Sequence, residues 1–578
     1  MSQSNVVIKR RGSADTQALI SSVHPVLARL YASRNITSAN QLEYQLKNIL
    51  PYQSLKGIEQ AVTRLVIALQ KQEKITIVGD FDADGATSTT LAMQALRLLG
   101  YEHVDYLVPN RFKYGYGLTK EIVAVANQSK PDLIITVDNG ISSCEGVSAA
   151  NQFGIDVIIT DHHLSAEVLP DAVAIVNPNQ PGCEFNSKAL PGVGVIFYVM
   201  LALRARLRKI NWFKNIAEPN FSVLLDLVAL GTVADVVPLD FNNRILIAQG
   251  MARIQAGQGR PGIKSLLEIS KRNAANLATS DLGFALAPRI NAAGRLDDMS
   301  LGIECLLAED INQARRLATQ LEELNQARRG IEDEMKQSAL TQLEDMSLDE
   351  TLPIGLCLFK QDWHEGVVGI VASRLKDKLH RPVIAFAKTE SGEIKGSARS
   401  VKGVHIRDVL DSIATKHPEL IKRFGGHAMA AGLSLPAENY QAFSEAFNAE
   451  VSLHLDESEL EGTILSDGEL QTQEIDMTLA ELLRTGGPWG QGFDEPVFDG
   501  IFEVVQKRIV AEKHLKLVVR IPGEEKVFDA IAFNVTDKDW PPSIKQVEMA
   551  YRLDINEFRG ERNIQFNVQF IQPHAGAA

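Results

Sequence analysis

Short apolar runs rich in β-branched residues alternate with helical patterns over the first third of the chain. Residues 74–80 (KITIVGD), 132–138 (DLIITVD) and 154–161 (GIDVIITD) read as buried strands, and 85–100 (GATSTTLAMQALRLLG) as the helix after the first of them. That alternation predicts an α/β fold with a doubly wound parallel sheet, because parallel strands need helical crossovers and these cover both faces. Helical patterns dominate from 192 to 345. Residues 310–346 contain no Pro, and Ala314, Leu317, Ala318, Leu321, Leu324, Ile331, Met335 and Ala339 recur at helical spacing, with Gly330 the weak point. One long connecting helix is expected there, with two shorter core helices as the alternative. A second α/β unit follows, with PIGLCLF, a helix near 366–378, and RPVIAFA. Beyond 460 come five strand-like segments, GIFEVVQKRIV, LKLVVRI, DAIAFNV, VEMAYRLDINEF and IQFNVQFI, which suit a small closed barrel of OB type. The chain therefore divides into a parallel-sheet domain with an N-terminal segment (1–310), a connecting helix (311–346), a second α/β domain (347–455) and an all-β barrel (456–578).

Composition narrows this picture only a little. Hydrophobic residues make up 45% and charged residues 23% of 578, ordinary for a water-soluble protein of several domains. No run approaches the roughly 20 apolar residues of a membrane helix. The opening MSQSNVVIKRRGS holds no apolar signal region, and Cys144, Cys183, Cys305 and Cys357 form no CxxC pair. A cytoplasmic protein without membrane contact is expected. The net charge of −13 argues at first against a polyanionic partner. Divalent cations bound by clustered acids would reverse the sign locally, and a nucleic-acid enzyme needs a basic track rather than a basic total. Arg204, Arg206, Arg208 and Lys209 are candidates for such a track, although a solvated helix face accounts for them equally simply.

The acids themselves carry the chemistry. VGDFDADGATST places Asp80, Asp82 and Asp84 at i, i+2 and i+4 just past the first strand, where extended backbone would point them to one side. Crowded carboxylates repel unless cations neutralise them. The other two strands end in Asp138 and in Asp161, His162 and His163, and open α/β sheets bind ligands at the carboxyl ends of their strands. A later segment, GTVADVVPL, adds Asp235 among small and apolar neighbours. Carboxylates mixed with imidazole suit two divalent ions; oxygen alone favours Mg2+, and imidazole shifts the preference toward Mn2+. Helix N-caps for the aspartates and surface positions for the histidines are the structural alternatives. No Gly-Lys-Ser/Thr follows the first strand and no GxSxG follows any, which excludes a P-loop and a serine-hydrolase elbow.

GDFDADG, TVDNG, DHH and GTVADVVPL, in this order and spacing, resemble the four motifs of DHH phosphoesterases. VPNRFKYGYGL, APRINAAGRLDD, WHEGVVGIVASR, KGSARS and FGGHAMAAGLSL narrow the resemblance, over nearly the whole chain, to the 5′→3′ single-stranded-DNA exonucleases of that family. The resemblance implies one metal held by Asp84, Asp138, His162 and Asp235, and a second by Asp80, Asp82 and Asp138, with Asp138 bridging. It implies that His163 contacts the scissile phosphate and that Asp161 orients the histidines. It implies that Arg111, Arg289, Ser397 and Arg399 engage DNA phosphates, including the terminal one; His427 can donate beside them. The strand would thread between the two α/β domains, and a terminal pocket at fixed distance from the metals would make the nuclease an exonuclease. Recombination and mismatch repair are the implied roles. Single-stranded DNA, single-stranded-DNA-binding protein and a recombination helicase are the implied partners, and a monomer is expected. A DHH phosphodiesterase for short oligonucleotides or cyclic dinucleotides needs no terminal barrel. A non-catalytic scaffold, as in a related replication-helicase subunit, predicts eroded metal ligands, whereas all are present here.

Overall fold

A computed structural model of the chain describes residues 6–12, 14–110, 114, 116–349, 352–389, 392–456, 460–511, 514–533, 535, 544–558 and 560–574. The chain forms two compact units, Arg10–Leu324 with Ser466–Ala578, and Met1–Lys9 with Asn325–Leu465. In the first unit, β1 (Ile75–Gly79), β2 (Val104–Leu107), β3 (Leu133–Val137), β4 (Asp156–Thr160) and β5 (Ala174–Val176) form an all-parallel sheet in the order β2-β1-β3-β4-β5. β1 and β3 are buried along their whole length, which is why their sequences are mostly apolar and β-branched, with Thr76 and Thr136 the buried polar members. β2 and β5 lie outside the strands expected from sequence. Both are short edge strands: β2 is partly exposed and interrupted by Asp105, and β5 is an apolar run of only three residues. Helix α1 (Ala83–Leu99) follows β1 and packs against α2 (Gly192–Lys209) and α3 (Leu225–Ala234). Covered on all sides, α1 buries every residue from Ala83 to Met93, including its threonines. α4 (Ala287–Leu296) completes this helical layer.

Helix α5 (Ile311–Asp349) runs unbroken through Gly330. A side chain at Gly330 would meet nothing within 4 Å, so the position is open, and its cost of about 1 kcal/mol in helix propensity is absorbed elsewhere. The second unit carries β6 (Leu356–Lys360), α6 (Val368–Leu379), β7 (Val383–Lys388), β8 (Ile394–Arg399), α7 (Ile406–Lys416), β9 (Arg423–Gly426), β10 (Ala430–Leu435) and α8 (Tyr440–Val451). Its sheet order is β9-β10-β8-β7-β6, with only β6 and β7 parallel.

The chain then returns to the first unit. β11 (Phe498–Val510), β12 (His514–Arg520), β13 (Val527–Phe533), β14 (Gln546–Phe558) and β15 (Glu561–Pro573) close a barrel in the order β11-β12-β13-β15-β14. The β13–β15 pair is parallel and the others antiparallel, the closure of an OB-fold. The segment leading into the barrel is part of the first unit's core: Trp489 and Phe493 stack on Tyr31, and Arg34 pairs with buried Asp467 at 2.8 Å.

Candidate metal centre

The site starts from strand register. Gly79 of β1 is level with Val137 of β3, and Val137 with Thr160 of β4. The next residue of each strand, Asp80, Asp138 and Asp161, therefore emerges on one edge. The order β2-β1-β3-β4-β5 puts the topological switch between β1 and β3, where open sheets part to admit a ligand.

The first three aspartates do not converge through extended backbone, as their spacing suggests. β1 stops at Gly79, and Asp82 caps α1, accepting from the amides of Asp84 and Gly85 at 3.0 Å each. The N-cap role weighed against metal binding is thus real for Asp82, and engages one of its oxygens. Asp84 lies in the first turn of α1, where its carboxylate accepts the amides of Gly192 (2.7 Å) and Val193 (3.0 Å) at the N-terminus of α2. α2 comes this close because Gly192 has no side chain: a Cβ there would lie 2.6 Å from Asp138.

Asp138 adopts φ +62°, a left-handed conformation that Asp tolerates better than most residues. Asn139 anchors the turn, donating to the carbonyls of Val78 (3.1 Å) and Val137 (2.9 Å). Asp161 accepts from the amides of His162 (2.7 Å), His163 (3.1 Å) and Ile141 (2.8 Å), and from Nδ1 of His163 (2.7 Å). That last bond orients the His163 ring and leaves Nε2 as its outward atom. Asp235 is the C-cap of α3.

Ligand atoms of Asp84, His162 and Asp235 all lie within 4.8 Å of one another, as do those of Asp80, Asp82 and Asp138, and those of Asp138, His162 and His163. Oδ1 of Asp138 and Oδ2 of Asp235 are buried, make no hydrogen bond among the described residues, and face Nε2 of His162 at 3.1 and 3.4 Å. Ligands around one cation with bonds near 2.1 Å stand about 3.0–3.4 Å apart, so this donor set fits a small divalent ion. The electrostatics agree. Burial, then repulsion from Asp82, pushes Asp84 up to about 7 against the helpful amides of α2. Burial and neighbouring carboxylates raise Asp138 and Asp235 well above the usual range. Burial works against protonated His163, but its bond to Asp161 and the surrounding acids lift it to about 9. Asp161, although buried, stays below the ordinary carboxylate range because His163, His162 and the Ile141 amide favour its charge.

The remaining candidates are dispersed. Arg111 lies outside the described residues. Arg289 is buried in α4 with its Nε 2.6 Å from Glu322, so a phosphate would compete with that carboxylate. Ser397 and Arg399 sit on β8 of the second unit, where Arg399 Nη1 donates to Ser397 Oγ at 2.9 Å. A Cβ on Gly369, in the first turn of α6, would lie 2.9 Å from Ser397 Oγ and 3.0 Å from Arg399 Nη2. A helix N-terminus, a hydroxyl and a guanidinium thus share one spot, a combination suited to an anion. His427 lies in the β9–β10 turn, three residues before Ala430, which is Arg399's cross-strand partner. Arg204 and Arg208 pair with Glu218; Arg204 is half-buried over Phe221, and Arg206, Arg208 and Lys209 form a solvated helix face. Sequence reasoning left Tyr116 and Asn291 without a role. Tyr116 touches His163 and Asp138, and Asn291 of α4 accepts the amide of Ala83 at 2.8 Å, bracing the acidic loop. Both stand inside segments that carry the family resemblance, the one signal that could have found them.

Fold and site together define the class, a DHH phosphoesterase. Family models described as DHH family, N-terminal domain, as DHHA1 domain and as RecJ OB domain match residues 74–232, 353–453 and 466–569. The chain is 55% identical over 575 residues to the single-stranded-DNA-specific exonuclease RecJ of Dickeya dadantii, covering 98% of this chain and 100% of that one. It is 54% identical over 572 residues to RecJ of Escherichia coli strain K12, covering 98% and 99%. Crystal structures of RecJ from Thermus thermophilus in complex with Mn2+ and with Mg2+ match it with TM-scores of 0.80 and 0.74 at 28% identity, over 99% of this chain and 80% and 79% of theirs. The chain belongs to the RecJ family.

Proposed function

We propose that this protein hydrolyses single-stranded DNA from its 5′ end, cutting phosphodiesters at two divalent ions, Mn2+ or Mg2+. The observation that carries the reading is the set of three ligand clusters at the switch point of the sheet, two with imidazole and one of carboxylates alone, linked through His162 and Asp138. Asp84, His162 and Asp235 would hold one ion and Asp80 and Asp82 the other, with Asp138 shared. When bound, the ions lower the pKa of water and offset charge on the phosphoryl oxygens. His163, its Nδ1 held by Asp161, presents Nε2 as a donor to the scissile phosphate. Polarity is proposed to come from the anion-binding spot of Ser397, Arg399 and the N-terminus of α6, with Arg111 and Arg289 on further phosphates.

The barrel supports the choice of a single strand. Phe533 is half exposed on β13 and lies edge-on to His514 of β12, the strand that also pairs with β11, which carries Lys507 and Arg508, whereas Phe528 stacks on Phe566 inside. An aromatic beside cations can hold an unpaired base without reading its identity. The likeness to RecJ extends the proposal to recombination and repair, including mismatch repair, in the cytoplasm. It also extends to single-stranded-DNA-binding protein and a recombination helicase as partners of a monomeric enzyme. Among the described residues no helix is long and apolar enough to cross a membrane. The test is cleavage of single strands labelled at either end, with Mn2+ or Mg2+: early release of the 5′ label alone is expected, and early release of the 3′ label would refute the polarity.

A further inference from the structure

Tyr116 is the side chain that joins three separate parts of the metal centre. Its hydroxyl donates to the backbone carbonyl of Asp138 at 3.3 Å and lies 3.2 and 3.4 Å from Nδ1 and Nε2 of His163. Its ring stands edge-on to His163 (centroids 5.8 Å apart, 80°) and edge-on to Phe81, between Asp80 and Asp82, at 6.1 Å and 80°. One residue therefore touches the acidic loop after β1, the left-handed turn after β3 and the histidine pair after β4. Because Nδ1 of His163 is already bonded in its plane to Asp161, the similar distances from the tyrosine oxygen to both ring nitrogens place that oxygen beside the ring rather than along either N–H direction. It limits rotation of the imidazole without occupying the outward Nε2 direction.

Two features separate this contact from ordinary packing. Tyr116 leaves about half of its surface to solvent, while its hydroxyl end is desolvated among the acids, and that burial, together with the acids, holds the phenol protonated. Its hydrogen-bond acceptor is the carbonyl of a non-glycine residue at φ +62°, a conformation that persists only when neighbours hold it. We infer that Tyr116 is a positioning residue for the reaction: its hydroxyl and ring hold the Asp138 turn and the His163 imidazole in the mutual geometry that the phosphate meets. The inference rests on the proposed role of this centre in phosphodiester hydrolysis.

Tyr116→Phe keeps the ring contacts and removes the hydroxyl, and Tyr116→Ala removes both. On a 5′-phosphorylated single strand with Mn2+, Tyr116→Phe should lower kcat about tenfold with KM unchanged, the size of one lost hydrogen bond. Tyr116→Ala should lower kcat further, and neither should shift the melting temperature. A second measurement does not depend on cleavage. In metal-free protein labelled with 15N-histidine, the His163 imidazole signals, assigned by their loss in His163→Gln, should shift and broaden in Tyr116→Phe. Wild-type kcat together with unchanged His163 signals in Tyr116→Phe would overturn the inference. So would a raised KM at constant kcat, which would make Tyr116 a DNA contact instead. If the unaltered protein cuts no DNA, the hydrolytic reading falls, and the His163 signals alone decide whether Tyr116 positions the ring.

Discussion

At Asp138 a carboxylate is buried at φ +62° among Asp80, Asp82, Asp84 and Asp235, all of which raise the cost of its charge. Asn accepts the same backbone conformation and carries no charge, but an amide cannot bridge two cations. Asp138→Asn should lower the cleavage rate on the order of 10³-fold or more, the loss of several kcal/mol of two-metal stabilisation. The same variant should melt at a higher temperature than the parent in EDTA; an active variant, or one that melts lower, would count against the bridge. The neighbouring Asp84 sets a pH dependence. Its folded value, about 7, exceeds the ordinary 3.8, so between these values the folded state holds a proton that the unfolded state releases. Stability of the metal-free protein should therefore fall as pH rises through this window, and be lower at pH 8 than at pH 6. Mn2+ should restore more at pH 8, as a comparison of melting curves with EDTA and with Mn2+ will show.

Among the elements, α2 and α6 point their N-termini at the two proposed anion-handling spots, with different consequences. α2 supports the carboxylate of Asp84 through two amides, and Gly192 is where it passes Asp138. Gly192→Ala puts a methyl group 2.6 Å from Asp138, an overpacking of about 1–3 kcal/mol that the left-handed turn must take up. Calorimetric Mn2+ titration should show weakened binding, with the far-ultraviolet spectrum unchanged. α6 faces Ser397 and Arg399, so Arg399→Ala should weaken attack on 5′-phosphorylated strands by about 1.5–3 kcal/mol and attack on 5′-hydroxyl strands much less. Equal losses on both substrates would assign Arg399 to general backbone contact.

For the whole molecule, the position of the barrel matters more than its charge. Lys516, Arg520, Arg552 and Arg562 are already paired with Asp529, Glu503, Glu495 and Glu481, and Lys513 and Arg559 lie outside the described residues. Removing residues 456–578 is not a clean test, because Asp467, Trp489 and Phe493, which lead into the barrel, pack on Arg34 and Tyr31 of the first unit. Point changes are better. Phe533→Ala should weaken binding of long single strands by about 1–3 kcal/mol, the worth of one stacked base, without changing the salt slope. Lys507→Ala should flatten the slope of log affinity against log salt by about 0.7, one phosphate's share for single strands. Both should cut short oligonucleotides normally; unchanged affinity for long strands in both would leave partner docking as the barrel's role.

The separation between sequence and tertiary structure falls where local pattern ends. Short runs rich in apolar and β-branched residues located β1, β3 and β4, and the residue after each, because strands covered on both faces hold little beyond Val, Ile, Leu and an occasional buried Thr such as Thr76 or Thr136. The acids and histidines just past these strands were legible for the same reason, whereas Asp235, the C-cap of α3, stood out only as an acid among small and apolar neighbours. Edge strands β2 and β5 were not legible, β2 being partly exposed and interrupted by Asp105 and β5 only three residues long. How Asp82 and Asp84 reach the site was misjudged from spacing, because the α1 cap bends the chain where alternation assumes a straight strand. The amides of α2 on Asp84, Asn291 on the acidic loop and Tyr116 between Asp138 and His163 are contacts across 22 to 208 positions of sequence. No local propensity encodes such distances. The sequence by itself determined which side chains could bind metal; only the packing of helices onto the sheet edge decided how those side chains are held.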